Sequence, residues 1–131
     1  MAISKYVEIL DPYDWMPSYG ENAIAIRTEG TDLLVAISYD GENGPSERQL
    51  LFQSVCAFYV QTFPGPSMLR DQPDDAAPLL RGLLVEYPGS EIALKWRSHF
   101  GPTREPRHFA IAFSAENRLL VVVADGVLLK E

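Results

Sequence analysis

Hydrophobic and polar positions alternate with a period of two along most of the chain, which is the pattern of strands with one buried face. Residues 22–28 and 33–39 both show this alternation, and the turn-forming residues 29–31 separate them. A segment rich in Gly, Asn and Asp follows over 40–46 and is typical of a loop. The first third of the chain therefore predicts an antiparallel hairpin.

The longest predicted strand covers residues 49–62, and its two faces are both partly apolar, which favours a central position in a sheet. One face collects five apolar side chains, namely Leu50, Phe52, Cys56, Phe58 and Val60. Residues 63–78 contain four prolines and predict an irregular excursion. A short strand is expected over 79–87.

One segment has helical rather than strand spacing. Ser90 is placed as a helix N-cap, and Glu91 falls in the first turn, where a negative charge favours the helix dipole. Apolar residues then recur at helical spacing as far as Phe100, and Gly101 is suited to ending the helix. We expect one helix of about ten residues near 90–100.

The C-terminal part again predicts strands, over 107–114 and 118–124, followed by a two-residue hairpin at Asp125-Gly126 and a last strand over 127–130. Seven or eight short strands with one helix indicate an α+β domain of mostly antiparallel strands. We expect a single domain over 1–131, built as a sandwich or a partly open barrel.

Charge is distributed unevenly over the 131 residues, whose net charge is −7. Residues 1–47 hold nine acids against Lys5 and Arg27, whereas 48–131 hold nine acids and nine bases. An acidic chain with a pI near 4.8 is a poor ligand for nucleic acid. The acidic first third favours a basic partner instead.

Several features that the sequence lacks limit the cellular location and the chemistry that we expect for this protein. Cys56 is the only cysteine, which excludes an intramolecular disulfide and a cysteine-based zinc site. The N-terminus has no secretory pattern, and no apolar stretch approaches the roughly 20 residues that cross a bilayer. We therefore expect a cytoplasmic protein without a membrane span, and no cofactor is predicted.

Acidic and aromatic residues are concentrated near the N-terminus in a proline-punctuated stretch. Trp and Tyr dominate binding hot spots, and loops often carry function. The alternative is that the aromatic side chains pin this loop onto the sheet. If the stretch is a binding surface, six residues are predicted to contact the partner: Asp11, Tyr13, Asp14, Trp15, Tyr19 and Glu21.

Other chemistry-bearing residues lack a motif. His99 and His108 flank one loop, but no metal-binding spacing accompanies them, so neither a metal site nor a catalytic residue is predicted. Cys56 is interpreted as a small core residue. A basic patch at the helix end is either an anion site or a solvated helix face; it comprises Lys95, Arg97, Arg104 and Arg107.

The last 85 residues show a characteristic order: an aromatic strand, a Gly-Ser-Glu before a helix bearing Trp96, and an Arg-His-Phe that opens a final hairpin. This order resembles a group of small bacterial β-rich proteins, some of them thought to be immunity proteins of toxin systems. The resemblance implies that Ser90, Glu91, Trp96 and His108 determine the fold rather than an activity.

Three functions follow as alternatives. The first is a non-catalytic binding protein, with neutralisation of a basic toxin domain as its most concrete form. The second is a small-molecule binder or minor enzyme, built on a barrel lined by Phe52, Phe58, Phe109 and Phe113. The third is an oligomeric accessory protein, for example a homodimer that pairs through the predicted hairpin over 118–130.

Overall fold

The structure is a computed structural model and describes residues 6–62 and 78–131. Its strands form one antiparallel sheet in the order β1-β5-β6-β7-β4-β3-β2, which does not close. The α-helix α1 spans Glu91–Phe100, residues 78–80 are also helical, and Pro12–Asp14 and Gly101–Thr103 are short 3₁₀ turns. The strands are β1 (Val7–Leu10), β2 (Ala23–Glu29), β3 (Asp32–Gly41), β4 (Gly44–Thr62), β5 (Leu84–Glu86), β6 (Arg107–Phe113) and β7 (Arg118–Lys130). The predicted α+β class with mostly antiparallel strands is confirmed.

β4 is the longest strand, and a bend divides it into two parts. Its first part pairs with β3 as far as Phe52, whereas β7 pairs with it on both sides of the bend, from Gln49 to Thr62. At the bend Ser54 has a φ of 53° and the register with β7 shifts. Phe52 and Val55 both contact the core, although an interval of three normally places residues on opposite faces. The irregularity therefore turns the strand at a corner of the sheet.

Each face of the sheet carries its own apolar cluster. The larger cluster joins β3, β4, β6 and β7, and its phenylalanines Phe52, Phe109 and Phe113 are fully buried. The N-terminal loop packs against it through Met16. On the opposite face Ala110 and Ala112 are small, and they pack in one cluster with Leu79 and Leu83 of the segment before β5.

The helix begins and ends as predicted. The Ser90 hydroxyl oxygen accepts a hydrogen bond from the Ala93 amide at 3.1 Å, which satisfies one of the free N–H groups at the helix start. Ala93 is the buried residue of α1. Exposed Glu91 pairs with Lys95 one turn later, at 3.2 Å.

The predicted strand over 79–87 is mostly wrong, because only Leu84–Glu86 is a strand. The Pro78 carbonyl accepts hydrogen bonds from the amides of Arg81 and Leu83, which closes a turn. Gly82 continues this turn with a φ of 77°. The predicted excursion over 63–78 lies, apart from Pro78, outside the described residues.

The predicted hairpin at Asp125-Gly126 is also wrong, because β7 continues through both residues. Gly126 pairs with Gln53 at the bend of β4, so the Asp-Gly pair lies in the strand at the corner of the sheet and does not form a turn. β7 lies between β6 and β4 over residues 118–124, whereas its residues 126–130 pair with β4 and not with β6. Pairing of two copies through this end of β7 stays a prediction. Within the described ranges the edge strands are β1, which the sequence did not reveal, and β2.

The predicted loop over 40–46 is instead a tight hairpin turn. β3 extends to Gly41 and β4 begins at Gly44, which leaves Glu42 and Asn43 as the turn. The hairpin projects its acidic residues at one end of the sheet. In the described part of the chain, no helix has the length and apolar character that a membrane crossing requires.

Candidate functional site

The acidic and aromatic N-terminal loop is held in place by its own side chains. Asp11 caps the first 3₁₀ turn, since its carboxylate accepts a hydrogen bond from the Tyr13 amide at 2.9 Å. Tyr13 is half-buried and packs against the backbone of Gly20 and Gly82. Asp14 is exposed. The structure thus gives Asp11 and Tyr13 contacts that fix the loop.

Trp15 does not project from this loop. Its ring lies 4.9 Å from that of Tyr39, and the Arg48 guanidinium lies 5.0 Å from the Trp15 ring centre. Arg48 also donates a hydrogen bond to the Tyr39 hydroxyl at 3.1 Å. A tilted aromatic contact and a cation–π interaction thus fasten the loop to β3 and β4.

Glu21 is buried, with 4% of its surface exposed, and therefore does not contribute a surface charge. Its carboxylate accepts a hydrogen bond from the Glu116 amide at 2.8 Å, across 95 residues of sequence. Burial raises the pKa of the Tyr13 phenol, and the carboxylates of Glu21 and then Asp11 raise it further. The Glu21 side chain connects the N-terminal loop to the turn between β6 and β7.

Tyr19 is the N-terminal aromatic residue that solvent reaches most, with 62% of its surface exposed. Its hydroxyl donates a hydrogen bond of 2.6 Å to Asp40 of β3, and the Asn22 amide donates one of 2.8 Å to the same carboxylate. These bonds lower the pKa of Asp40, that from Tyr19 having the larger effect. In return, the bond to Asp40 raises the pKa of Tyr19. The carboxylate is therefore ionised and fixed in position.

Further acids extend this cluster along the β3–β4 hairpin. Asp40 is opposite Pro45, and Ser38 is opposite Glu47, so Asp40 and Glu47 are diagonal neighbours on one face of the sheet. Glu42 lies in the turn between them, and all three acids are exposed. We call this surface the acidic tip, defined by Tyr19, Asn22, Asp40, Glu42 and Glu47.

The acidic tip overlaps the sequence-predicted site only at Tyr19. Its three acids belong to the excess charge of residues 1–47, but no pattern in the sequence groups them with Tyr19. Their proximity depends on the pairing of β3 with β4 and on the path of the N-terminal loop. The register of the β3–β4 hairpin, which places Glu47 opposite Ser38, is the signal that would have identified Glu47 as part of this surface.

Ser90 and His108 form a hydrogen bond between the helix start and β6. The His108 Nδ1 lies 2.8 Å from the Ser90 hydroxyl oxygen, and the Tyr87 ring packs 5.4 Å from the imidazole. Ser90 is 7% exposed, and its oxygen already accepts from the Ala93 amide. Such a serine is poorly placed as a nucleophile, and the pair instead fastens α1 to the sheet. Burial lowers the pKa of His108.

This buried imidazole predicts a loss of stability in mild acid. Folded His108 has a pKa below its ordinary 6.5, so the unfolded chain binds more protons as the pH falls below that value. The stabilisation from His108 is then complete above pH 6.5 and is lost as the pH falls through the folded-state pKa. Urea unfolding of the wild type should show this slope, and His108→Gln should flatten it.

His99→Gln is the matched control for that experiment, because His99 is exposed on α1. It contacts Trp96 and Phe100 rather than a buried hydrogen-bond partner. The control should keep the wild-type slope between pH 5 and 7. An equal flattening by both variants would contradict the assignment to His108.

Arg104 joins three parts of the structure at the corner of the sheet. Its guanidinium donates to the Ser54 carbonyl at 2.6 Å and to the Asp125 carboxylate at 2.9 to 3.2 Å. It also lies over the Phe100 ring, 4.3 Å from the ring centre. Arg104 therefore connects the bend of β4 with β7 and with the end of α1.

A cleft of about 620 Å³ opens beside Arg104, and we call it the arginine cleft. Arg97 and Arg107 line it with Arg104, whereas Lys95, the fourth residue of the predicted basic patch, pairs with Glu91. Arg107 forms an ion pair of 2.7 Å with Glu86. The remaining lining residues are Glu86, Pro88, Thr103, Glu105 and Asp125, so three carboxylates line the cleft beside the three arginines.

The Cys56 thiol lies at the bend of β4, 3.4 Å from the Arg104 guanidinium. Burial raises the pKa of this thiol despite the nearby positive charge, so it is held in the protonated, less nucleophilic form. Among residues 6–62 and 78–131, the structure places no three His, Cys, Asp or Glu side chains in an arrangement suited to a metal ion.

Comparison of the chain with family models, curated proteins and solved structures finds no match. The resemblance to immunity-type proteins therefore stays a prediction. The acidic tip and the arginine cleft are the features of the structure that bear on function.

Proposed function

We propose that this protein is a non-catalytic binding protein whose acidic tip binds a basic partner protein. The observation that carries the proposal is the bond between Tyr19 and Asp40, which holds an exposed aromatic ring beside an exposed carboxylate. A fixed tyrosine loses little conformational entropy when it enters an interface. Tyrosines are also enriched among the residues that dominate binding energy.

The charge of the tip supports a basic partner. Asp40, Glu42 and Glu47 lie on one hairpin. Asp40 accepts hydrogen bonds from Tyr19 and Asn22, and Glu47 accepts one from Gln49. All three donors are neutral side chains. The negative charge of the acids is therefore not cancelled by these contacts. Such a surface accelerates association with a positively charged protein and disfavours acidic ones.

Neutralisation of a basic toxin domain is the concrete form of this function that we propose, in keeping with the resemblance to bacterial immunity-type proteins. An inhibitor of that kind acts by covering a site on its partner and needs no catalytic group of its own. The lone free cysteine suits a reducing cytoplasm, where we propose that the protein works.

The binding of a small molecule in the sheet interior has no comparable support. Phe52, Phe109 and Phe113 are fully buried and belong to one packed cluster, with Phe52 and Phe109 in ring contact at 5.7 Å. Phe58, the fourth side chain expected to line a barrel, is 40% exposed. The packing of the three buried rings therefore gives no support to a ligand-filled interior.

Neutralising the tip is expected to slow association with the partner. A protein captured from a lysate of the source organism and identified by mass spectrometry would serve as the partner. The triple variant Asp40→Asn, Glu42→Gln, Glu47→Gln should lower the association rate constant about tenfold at low salt, because electrostatic steering is lost. Biolayer interferometry at several salt concentrations would measure the effect, which should shrink as salt rises.

A second triple variant provides the control: Glu8→Gln, Glu29→Gln and Glu91→Gln remove three exposed acids from β1, β2 and α1. Both variants change the net charge equally, from −7 to −4 by the loss of three acids. An equal decrease in rate for both would show that net charge, and not the tip, attracts the partner. Failure to capture any basic protein would count against the proposal itself.

A further inference from the structure

We propose that the arginine cleft binds a phosphate group, through Arg97 together with Arg104 and Arg107. The three guanidinium groups come from different elements: Arg97 from α1, Arg104 from the connection after it, and Arg107 from the start of β6. The fold brings them to one cleft, which they line. Guanidinium groups recognise phosphate by paired, charge-assisted hydrogen bonds.

Each of these guanidinium groups is already fixed by a contact with the protein. Arg97 donates to the carbonyl oxygens of Pro88 and Pro106, both at 3.2 Å. Arg104 is held by Asp125 and Arg107 by Glu86. A ligand would therefore meet donors that have already lost their rotational freedom, which lowers the entropic cost of binding.

Arg97 differs from the other two in the charge of its partners. Its described partners are carbonyl oxygens, which satisfy hydrogen bonds without neutralising the positive charge. Of its five N–H groups these bonds use one at Nε and one at Nη1, so Nη2 takes no part in them. The cleft is thus lined by one guanidinium whose described partners are uncharged and by two that are paired with carboxylates.

Of the three carboxylates that line the cleft, Glu105 is the one without a described ion pair to an arginine, and it competes with an incoming anion. It is exposed, lines the cleft, and acts on Arg107 through its charge. The proposal therefore predicts opposite effects for two residues that line the cleft. Loss of Arg97 weakens phosphate binding, and loss of the Glu105 charge strengthens it. If the arginines had only a structural role, removal of the Glu105 charge would not strengthen phosphate binding.

A phosphate fits this set of donors better than a carboxylate does. Three arginines from three elements can address the several oxygens of a tetrahedral group, whereas a carboxylate offers two. Free phosphate and the phosphate of an organic monoester share this chemistry. The site does not rest on the proposed function, because the cleft shares no residue with the acidic tip.

Titration of the full chain with inorganic phosphate, followed by ¹⁵N–¹H NMR, tests the site. We expect saturable shifts confined to the Arg97 side chain and the backbone of 103–107. Arg97→Gln should weaken binding about tenfold or more, since it removes a charged hydrogen-bond donor. Glu105→Gln should strengthen it about threefold, because a competing negative charge of modest, solvent-screened effect is removed.

Three comparisons make the result decisive. Arg27→Gln is the control, because Arg27 is exposed on β2 and pairs with Glu29 there, so phosphate binding should be unchanged. Glycerol phosphate in place of inorganic phosphate shows whether an ester binds more tightly than the free ion, and acetate should bind more weakly than either. Far-UV circular dichroism establishes that each variant is folded; Arg107→Lys replaces Arg97→Gln if that variant is not, and is also expected to weaken binding.

The site is overturned if the folded wild type shows no saturable shift at the cleft with millimolar phosphate. It is equally overturned if neither Arg97→Gln nor Arg107→Lys weakens binding, or if Arg27→Gln weakens it as much as they do. Weaker binding by Glu105→Gln would also contradict the proposal.

Discussion

Replacement of Gly82 by alanine is expected to lower the free energy of unfolding by about 3 kcal/mol, the sum of a backbone term and a packing term. Gly82 has a φ of 77°, which disfavours residues with a Cβ atom. A Cβ atom there would also lie 2.7 Å from Cε2 of the Tyr13 ring. Because Tyr13 is itself packed by the N-terminal loop, the ring has little freedom to move away.

Gly30→Ala separates the two contributions. Gly30 has a φ of 61°, but a Cβ atom at that position would meet nothing within 4 Å. Its replacement should therefore show the backbone term alone, about 1 kcal/mol. Urea unfolding of both variants gives the comparison, and equal losses would mean that the contact with Tyr13 contributes nothing.

The double variant Tyr13→Ala, Gly82→Ala provides an independent measure of the contact. If the close approach of Tyr13 is the reason for the cost, Gly82→Ala should be less harmful once the ring is absent. The coupling energy from this double-mutant cycle is expected to be about 1 to 2 kcal/mol, which lies within the range found for residues in contact. A coupling near zero would show that the ring moves aside.

Replacement of Arg104 by methionine should lower the free energy of unfolding by about 2 kcal/mol, in the range of a hydrogen bond to a charged group. Methionine keeps much of the aliphatic length but leaves the Ser54 carbonyl and the Asp125 carboxylate without this donor. Both charged partners are about one third exposed, which limits the loss because water replaces part of the interaction. Urea unfolding, monitored by tryptophan fluorescence, measures it.

Arg27→Met is the matched control for Arg104→Met. Arg27 also forms an ion pair of 3.0 Å, with Glu29, but the two side chains are 64% and 49% exposed and join neighbouring positions of one strand. Its loss should change stability by less than about 0.5 kcal/mol. Similar losses for both variants would show that Arg104 does not connect the corner of the sheet to the helix.

Much of the local structure follows from residue order. Period-two alternation predicted β2, β3, β6 and most of β4, and the Ser90 cap with helical spacing predicted α1. These features arise from interactions between residues close in sequence, or from the need to bury one face. The ends of elements were harder, because an Asp-Gly pair or a glycine-rich stretch suits a turn, a bulge or a tight hairpin alike.

The functional surfaces depend on contacts that local patterns cannot reveal. Tyr19 reaches Asp40 across 21 residues, and Arg104 reaches Ser54 across 50. Glu21 belonged to the predicted binding set, but its pairing with the Glu116 amide buries it. Strand register and loop path decide such pairings, and both result from packing of the whole chain.

By itself, the sequence determined that this is a mostly antiparallel α+β protein with a helix near residues 90–100 and that its excess negative charge lies before Arg48. Alternation, capping and charge count are properties of neighbouring residues, so they can be read without knowledge of the fold. The tertiary structure decided which acids remain exposed, which aromatic ring projects, and that β7 is continuous. It also brought three arginines into one cleft. Burial and long-range pairing set those outcomes, because each depends on residues far apart in the chain.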